Sequence, residues 1–394
     1  MLLRRLTTAL MALTGAALTF AVDASAIELS DQCPAGFALE QGVCRLSSRY
    51  DVFPSVQAAG LGGTKTALPA RRDGFTPQQV DLGRYLFFDP ILSPDNALAC
   101  ASCHLPERGF SDGQPRSIGN KGAALNRAAP TLWNVAFLDR LFWDGRARSL
   151  EEQMLGPLFA DDEMANTEAG LLERINANSE YRRLFSQVYD PADAISLEQL
   201  IGALVAFESS LISLNSRYDQ YALGYSDALD DTETKGLNVF RSFVARCAEC
   251  HTPPLFTNRE IAVIGAPEPT GVGFDEGAGA SYNDSRLRGG FRVPSLRNIA
   301  LTEPYMHSGR FTSLAEVVSF YNAGRGNAVP DDQRLYLHWH ITSPELGDDE
   351  ELALLAFLDT LTDESFLPAL PSALPSGLDP ASYRKHVSHH TGVQ

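Results

Sequence analysis

The sequence predicts a mainly α-helical protein built from two similar halves, and three features carry that expectation. Helix-start signals recur along the chain, the apolar residues behind them follow helical spacing, and strand-like alternation is scarce. The third feature is a weak internal repeat. Gly83-x-x-x-Phe87 precedes Cys100-Ala101-Ser102-Cys103-His104, and Gly236-x-x-x-Phe240 precedes Cys247-Ala248-Glu249-Cys250-His251.

Each Cys-x-x-Cys-His unit suits a covalently held haem. The two thiols bond to its vinyl groups while the adjacent histidine reaches the iron from one side. The spacing is physical, because two intervening residues set the sulfurs on one turn and the next residue then faces the ring they hold. A zinc site would bring its second cysteine pair within roughly 20 residues, and here the pairs lie far apart. A thioredoxin-like redox motif needs only one pair. Two c-type haems are therefore expected, with Cys100, Cys103 and His104 holding one and Cys247, Cys250 and His251 the other. A glycine and an aromatic one turn apart ahead of such a motif suit a cytochrome c fold, where that helix crosses the C-terminal one closely. Two cytochrome c-like domains packed together are expected at about 73–225 and 226–365.

The segments outside these domains read as follows. Met1-Leu2-Leu3-Arg4-Arg5, an apolar stretch from Leu6 to Val22 and Ala24-Ser25-Ala26 form a secretory signal peptide over 1–26. No later segment is long and apolar enough to span a bilayer. Export agrees with covalent haem attachment and places the protein in the periplasm. Of six cysteines, four serve the haems, and Cys33 and Cys44 remain to form a disulfide pinning an N-terminal arm over 27–72. Residues 366–394, Pro-rich from Leu367 to Pro380, read as an exposed tail. The formal charge of −17 excludes nucleic acid as a natural partner and disfavours anionic membranes.

Helix starts follow in order. Thr76-Pro77-x-Gln79 is a capping box with proline at the first helical position, and Ser149 with Glu152, Ser196 with Gln199, Ser313 with Glu316 and Asp348 with Glu351 repeat the pattern. Leu197, Leu200, Ile201, Leu204 and Val205 then keep helical spacing, as do Leu314, Val317, Val318 and Tyr321.

The ligand inventory makes the two haems unequal. The eight histidines are 104, 251, 307, 338, 340, 386, 389 and 390, so none lies between His104 and His251. The first iron cannot draw a second histidine from its own domain, and an iron left open is where peroxide or oxygen binds. For the second iron Met306 and Tyr321 compete. Met306 sits about where a small cytochrome c places its methionine, while a buried tyrosine hydroxyl aimed inward suits ferric haem. Its commoner fate is a hydrogen-bonded core tyrosine. Spacing alone leaves the two open.

The chain resembles the bacterial di-haem cytochrome c peroxidase / MauG family over nearly all of residues 73–365. Besides both haem motifs, the resemblance rests on Ala129-Pro130-Thr131-Leu132-Trp133-Asn134, Phe142-Trp143-Asp144-Gly145-Arg146-Ala147, Pro294-Ser295-Leu296-Arg297-Asn298 and Pro304-Tyr305-Met306-His307-Ser308-Gly309. It implies Tyr321 as the distal ligand of the second haem, where conventional peroxidases carry methionine and the MauG-like branch tyrosine. Met306 becomes a packing residue. Trp143 matches the tryptophan between the haems that mediates their coupling, and Gln153, Pro157 and Glu163 match the peroxide pocket of the first haem. Thr302 and Pro304 match carbonyl ligands of a calcium ion between the domains, with Asn126 the candidate third ligand because Ala128 holds the usual position. Oxygen donors suit that hard cation. His307 is expected to be structural.

The implied activity is that of a periplasmic di-haem oxidase. Peroxide generates a high-valent di-haem state that withdraws electrons from a residue, a tryptophan by this resemblance, of a partner protein. The surface tryptophan through which MauG passes electrons is Ala245 here. The Cys33/Cys44 arm and Leu337-His338-Trp339-His340 look similar to the MbnH group within this branch, in which the partner is a copper-binding protein. His338 and His340 have two readings, a copper contact or ordinary surface or core histidines, and Trp339 is a candidate replacement for the missing tryptophan. Two other functions remain on sequence alone. One is a conventional peroxidase fed by a small cytochrome or cupredoxin, and the other is a non-catalytic di-haem electron carrier.

Overall fold

The computed structural model describes residues 26–48, 50, 68–189, 194–324 and 334–384. The signal peptide apart from Ala26, and His386, His389 and His390, lie outside the described residues. The elements run β1 (Phe37–Glu40), β2 (Val43–Leu46), α1 (Pro77–Phe88), α2 (Leu150–Phe159), α3 (Glu168–Ala177), α4 (Ser179–Val188), α5 (Leu197–Ser209), α6 (Arg217–Ala222) and α7 (Asp231–Phe240). They continue with α8 (Cys247–Cys250), β3 (Ile261–Val263), α9 (Ala278–Tyr282), β4 (Gly290–Arg292), α10 (Leu314–Ala323) and α11 (Asp348–Asp359). The only sheets among the described residues are two antiparallel pairs, β1–β2 and β3–β4. Helices predominate, as the sequence predicts.

Capping explains where the helices begin. Thr76 accepts a hydrogen bond from the Gln79 amide at 3.1 Å, and Gln79 accepts one from the Thr76 amide at 2.9 Å. Ser196 and Gln199 form the same reciprocal box at the start of α5. At α2 and α10 the serine caps as expected, but the glutamate reaches one residue further back, accepting from the amides of Arg148 and Thr312. The last helix starts differently from the sequence expectation. Gly347, not Asp348, is its cap residue, and Glu350 accepts from the Gly347 amide at 3.1 Å.

Two helix pairs are superimposable in their logic. Helix α1 packs on α5 through Gly83, where an added Cβ would stand 1.9 Å from the carbonyl oxygen of Ala203 and 2.8 Å from the Cβ of Phe207. Helix α7 packs on α11 through Gly236, with the same 1.9 Å to the Ala353 oxygen and 2.7 Å to Phe357. Backbone therefore meets backbone in both crossings. Beside each, a pair of fully buried phenylalanines closes the gap, Phe87 with Phe207 at 5.0 Å and Phe240 with Phe357 at 5.1 Å between ring centres. Each such ring contributes roughly 1.5–3 kcal/mol through burial.

Three expectations change. The arm contains a hairpin, β1–β2, and Cys44 on β2 pairs with Cys33 as expected. Helix α6, expected with the first domain, packs with the second core instead, Tyr218 lying 4.8 Å from Phe256 and 5.9 Å from Phe357. The Pro-rich tail is not exposed throughout. Leu374 and Tyr383 are buried against the first core, Tyr383 packs 5.4 Å from Phe88, and the Asn178 amide donates to the Pro375 carbonyl. Apolar residues spaced among prolines carry no helical or strand period, so the sequence gives no sign of that docking.

Gly236→Ala separates two opposed effects. Helix propensity alone favours alanine by about 1 kcal/mol, whereas overpacking typically costs about 1–3 kcal/mol or more. The haem-loaded variant is expected to unfold at a lower denaturant midpoint, and Gly83→Ala likewise.

Candidate functional site

The repeat extends from the helix crossings to the walls of two cavities. One, of about 900 Å³, is lined by Cys100, Cys103 and His104 together with Gln153, Pro157 and Glu163. The other, of about 230 Å³, is lined by Cys247, Cys250, His251, Met306 and Tyr321. Neither Cys-x-x-Cys pair is closed as a disulfide, so all four sulfurs remain for haem. The structure thus gathers each motif with the distal candidates expected for it. Trp143 lines both cavities.

Each histidine is oriented by backbone. The Nδ1 of His104 hydrogen-bonds the Phe110 carbonyl at 2.8 Å, and the Nδ1 of His251 lies 3.2 Å from the Phe256 carbonyl and 3.1 Å from that of Pro294. With Nδ1 donating, Nε2 remains as the free nitrogen, the arrangement that fixes the tautomer of a ligating histidine. Burial lowers both basicities, taking His251 down to about 4, so both rings are neutral and ready to donate a lone pair. Phe110 and Phe256 reach these carbonyl positions only by adopting left-handed backbone, φ 61° and 54°. Phe110 is held there between Phe87 and Trp133, and Phe256 between Phe240 and Tyr218.

The Pro-Thr/Ser-Leu-x-Asn segments do the same work in both halves. Thr131 donates to the Gly109 carbonyl at 2.7 Å and Ser295 to the Leu255 carbonyl at 2.7 Å. Asn134 and Asn298 both take left-handed backbone and tie down distant chain, Asn134 through Ser213 and Asn298 through Asp363. The second half adds Arg297, fully buried with Asp219, one guanidinium nitrogen lying 2.6 Å from the carboxylate. Tyr50 of the arm donates to the same carboxylate.

The distal walls are where the halves part. Helices α2 and α10 start from equivalent serines, and the eighth residue of each is Pro157 and Tyr321. Leu150 corresponds to Leu314 and Gln153 to Val317. Met306 corresponds to Phe142, and both carry positive φ, 72° and 64°, in the turn that precedes its helix. Proline has no atom that can ligate, while tyrosine has a phenol. Burial, then the Cys250 and Cys247 thiols, pushes the Tyr321 phenol well above its usual range, with no hydrogen bond among the described residues to offset this. The same residue helps make the second cavity the narrower one.

Cavity one is polar where cavity two is not. Burial, followed by the neighbouring Asp162 charge, raises the Glu163 carboxyl, and Arg146 lowers it less. Two lining residues escaped the sequence reading. Glu208 is buried, one carboxylate oxygen has no hydrogen-bond partner, and desolvation pushes it up to about 8. Arg292 is buried against both cavities with its Nε unpartnered, and desolvation brings it down to about 10. Its Nη1 donates to the Val293 carbonyl at 3.4 Å, which leaves Nε between the two cavities free to meet a haem propionate, and both cavities fit the group their motifs imply. The repeat held a signal for each, since the matching positions are Leu358 and Ala128.

Trp143 is clamped between the halves. Its Nε1 donates to the Ala128 carbonyl at 2.8 Å, and its own carbonyl accepts from the Arg292 amide at 2.7 Å. The next residue, Asp144, accepts from Arg127 at 2.8 Å and Arg146 at 2.9 Å. Arg127 also pairs with Asp275 at 2.6 Å. His307 is buried 2.9 Å from Glu268, stacked 3.8 Å on Phe291, and lines the second cavity. Thr302 and Pro304 line cavity two and Asn126 lines cavity one. His338 and His340 come together beside Cys250.

Residues 77–227 match the family model described as di-haem cytochrome c peroxidase. The methylamine utilization protein MauG of Methylorubrum extorquens is 34% identical over 296 residues, 75% of this chain and 81% of that protein. The cytochrome c551 peroxidase of Nitrosomonas europaea is 32% identical over 77% of this chain and 86% of its own. Among solved structures, a MauG-like protein associated with microbial copper homeostasis is similar, with a TM-score of 0.71 and 32% identity. It covers 81% of this chain and 98% of that one.

If Pro157 is what keeps the first distal position open, Pro157→His should fill it. The ferric protein is then expected to lose its high-spin haem signal and show two low-spin haems by electron paramagnetic resonance.

Proposed function

We propose that this chain, which belongs to the di-haem cytochrome c peroxidase and MauG family, is a periplasmic oxidase that uses hydrogen peroxide to oxidise a tryptophan of a partner protein. The family makes it a di-haem oxidoreductase carrying two c-type haems. The observation that carries the finer reading is the unequal pair of matching residues, Pro157 lining the cavity of His104 and Tyr321 that of His251. When bound, the two haems supply the iron that takes up peroxide and the redox capacity that stores its two oxidising equivalents.

The chain's own residues supply the rest. His104 would hold the first haem, and Pro157, lining the same cavity, has no side-chain atom to compete for the metal. Glu163, whose carboxyl burial and then the Asp162 charge push up, is the proton donor as the O–O bond breaks, and Gln153 orients the oxygen that receives the proton. Glu208 gives the same cavity a second protonated acid. Trp143 couples the two sites, its indole held by Ala128 and its backbone by Arg292. Tyr321 closes the second site, and an anionic oxygen donor favours a higher charge on iron than a thioether does.

A conventional peroxidase, fed by a small cytochrome or cupredoxin, is disfavoured by Tyr321 and by the absence of any histidine between His104 and His251. A non-catalytic carrier would fill both distal positions. The copper-binding partner rests on the likeness to the copper-homeostasis protein and on the Leu337–His340 segment. The Thr302 and Pro304 carbonyls, with Asn126, are the proposed calcium ligands. Export rests on residues 1–26, the disulfide and covalent haem attachment. No helix among the described residues is long and apolar enough to cross a membrane.

The ferric protein is expected to show one high-spin and one low-spin haem. Tyr321→Phe should abolish or shift the low-spin signal, and an unchanged spectrum would return the ligand role to Met306. Glu163→Gln is expected to slow the peroxide-induced spectral change by about 10²–10⁴-fold. The pH dependence follows from the raised carboxyl. Its proton is available below that raised pKa and lost as pH climbs through it, so the wild-type rate falls on the alkaline side. Stopped-flow rates of Glu163→Gln across pH should lack that limb. Oxygen gain on a partner tryptophan after incubation with peroxide, read by mass spectrometry, tests the substrate class.

A further inference from the structure

We propose that Trp339 is the surface residue through which electrons from the partner enter the second haem site, passing by way of His340 and the sulfur of Cys250. This deepens the function proposed above and rests on it. Trp339 is 62% exposed, while the other two tryptophans, Trp133 and Trp143, are buried or half-buried. Its exposure leaves the indole accessible to a docked partner, and tryptophan is among the side chains most readily oxidised by one electron.

The contacts inward are continuous. The ring centre of Trp339 lies 3.6 Å from that of His340. The ring nitrogens of His340 and His338 and the Sγ of Cys250 all lie within 4.8 Å of one another. That sulfur bonds the haem when it is attached, so the imidazole adjoins a covalent extension of the cofactor. His340 lines the second cavity and is steadied by Glu249, Nε2 to Oε2 at 2.8 Å. Trp339 itself is fixed by Arg246, whose guanidinium lies 4.8 Å over its ring. Glu249 also accepts from Arg246 at 2.8 Å, which offsets the cation's opposition to a positively charged indole. Glu249, Cys250 and Arg246 all belong to the second haem motif or its flank, so the segment from Leu337 to His340 is docked on that motif.

The balance is simple. Reduction of one hydrogen peroxide to two waters consumes two protons and two electrons. Each electron leaves the donor, passes through Trp339 and refills the His251 site, so Trp339 is oxidised and restored once per electron. Without a donor the indole supplies both electrons, and Trp339 and peroxide yield hydroxytryptophan and one water.

The test uses the full haem-loaded protein, hydrogen peroxide, and ferrocyanide as donor. Trp339→Phe keeps an aromatic ring but removes the oxidisable one, and Trp339→Tyr restores an oxidisable ring. Stopped-flow spectroscopy is expected to show refilling by ferrocyanide slowed at least tenfold, relative to formation, in the phenylalanine variant and largely regained in the tyrosine variant. Without donor, peptide mass spectrometry should find the oxygen gain of the wild type on Trp339. Equal refilling rates in all three proteins would overturn this inference while leaving the function intact. Absence of any peroxide-induced spectral change would overturn the proposed function and this inference with it.

Discussion

Backbone contact between paired helices is the constraint on which the two sites depend. At Gly83 against Ala203, and at Gly236 against Ala353, there is no room for a single methyl group. That closeness lets Phe87 reach Phe207 and Phe110, and Phe240 reach Phe357 and Phe256. The buried phenylalanines in turn hold Phe110 and Phe256 in left-handed backbone, and their carbonyls aim the two motif histidines. A chain of steric requirements thus runs from a missing side chain on a helix to the lone pair that binds iron. Each step depends on close packing, in which a sub-ångström shift has no slack to absorb it.

The same scaffold built twice yields two different sites because a few positions were left free to differ. Pro157 and Tyr321 sit at one helical position, Glu208 and Leu358 at another, and Ala128 and Arg292 at matching positions outside the helices. These substitutions lie on the walls of the cavities, not in the helix crossings, so they change chemistry without disturbing support. One cavity gains the buried carboxyls of Glu163 and Glu208, and the other the buried phenol of Tyr321. The large difference in the environment of their ionisable groups is a consequence, since burial without a partner raises carboxyls and phenols alike.

A rigid element lies between the two cavities. Trp143 borders both cavities and is pinned at its indole, at its backbone and through its neighbour Asp144. Arg127 links Asp144 to Asp275, so the segments on either side of the tryptophan belong to one charge network. The arm contributes at a distance, with Tyr50 completing the buried Arg297–Asp219 pair that anchors the second half. A charged pair of that kind is costly to leave incomplete, which gives the arm a structural reason to stay docked at Tyr50.

Much was legible in the sequence because it depends on neighbours along the chain. The Cys-x-x-Cys-His units, the serine and threonine caps, the Cys33–Cys44 bridge and the glycine-aromatic pairs are local patterns whose physics is complete within a few residues. The resemblance of longer motifs then located Trp143, Gln153, Glu163 and Tyr321 around the cavities where the structure has them. What the sequence left unread depends on encounters between distant segments. The docking of Tyr383 on Phe88, the pairing of α6 with the second core, the unpartnered Nε of Arg292 and Oε2 of Glu208, and the approach of His340 to Cys250 have no local signature. Local pattern fixes an element and its apolar face, but only the packed chain decides which buried polar groups are left without a partner and which ring meets which sulfur.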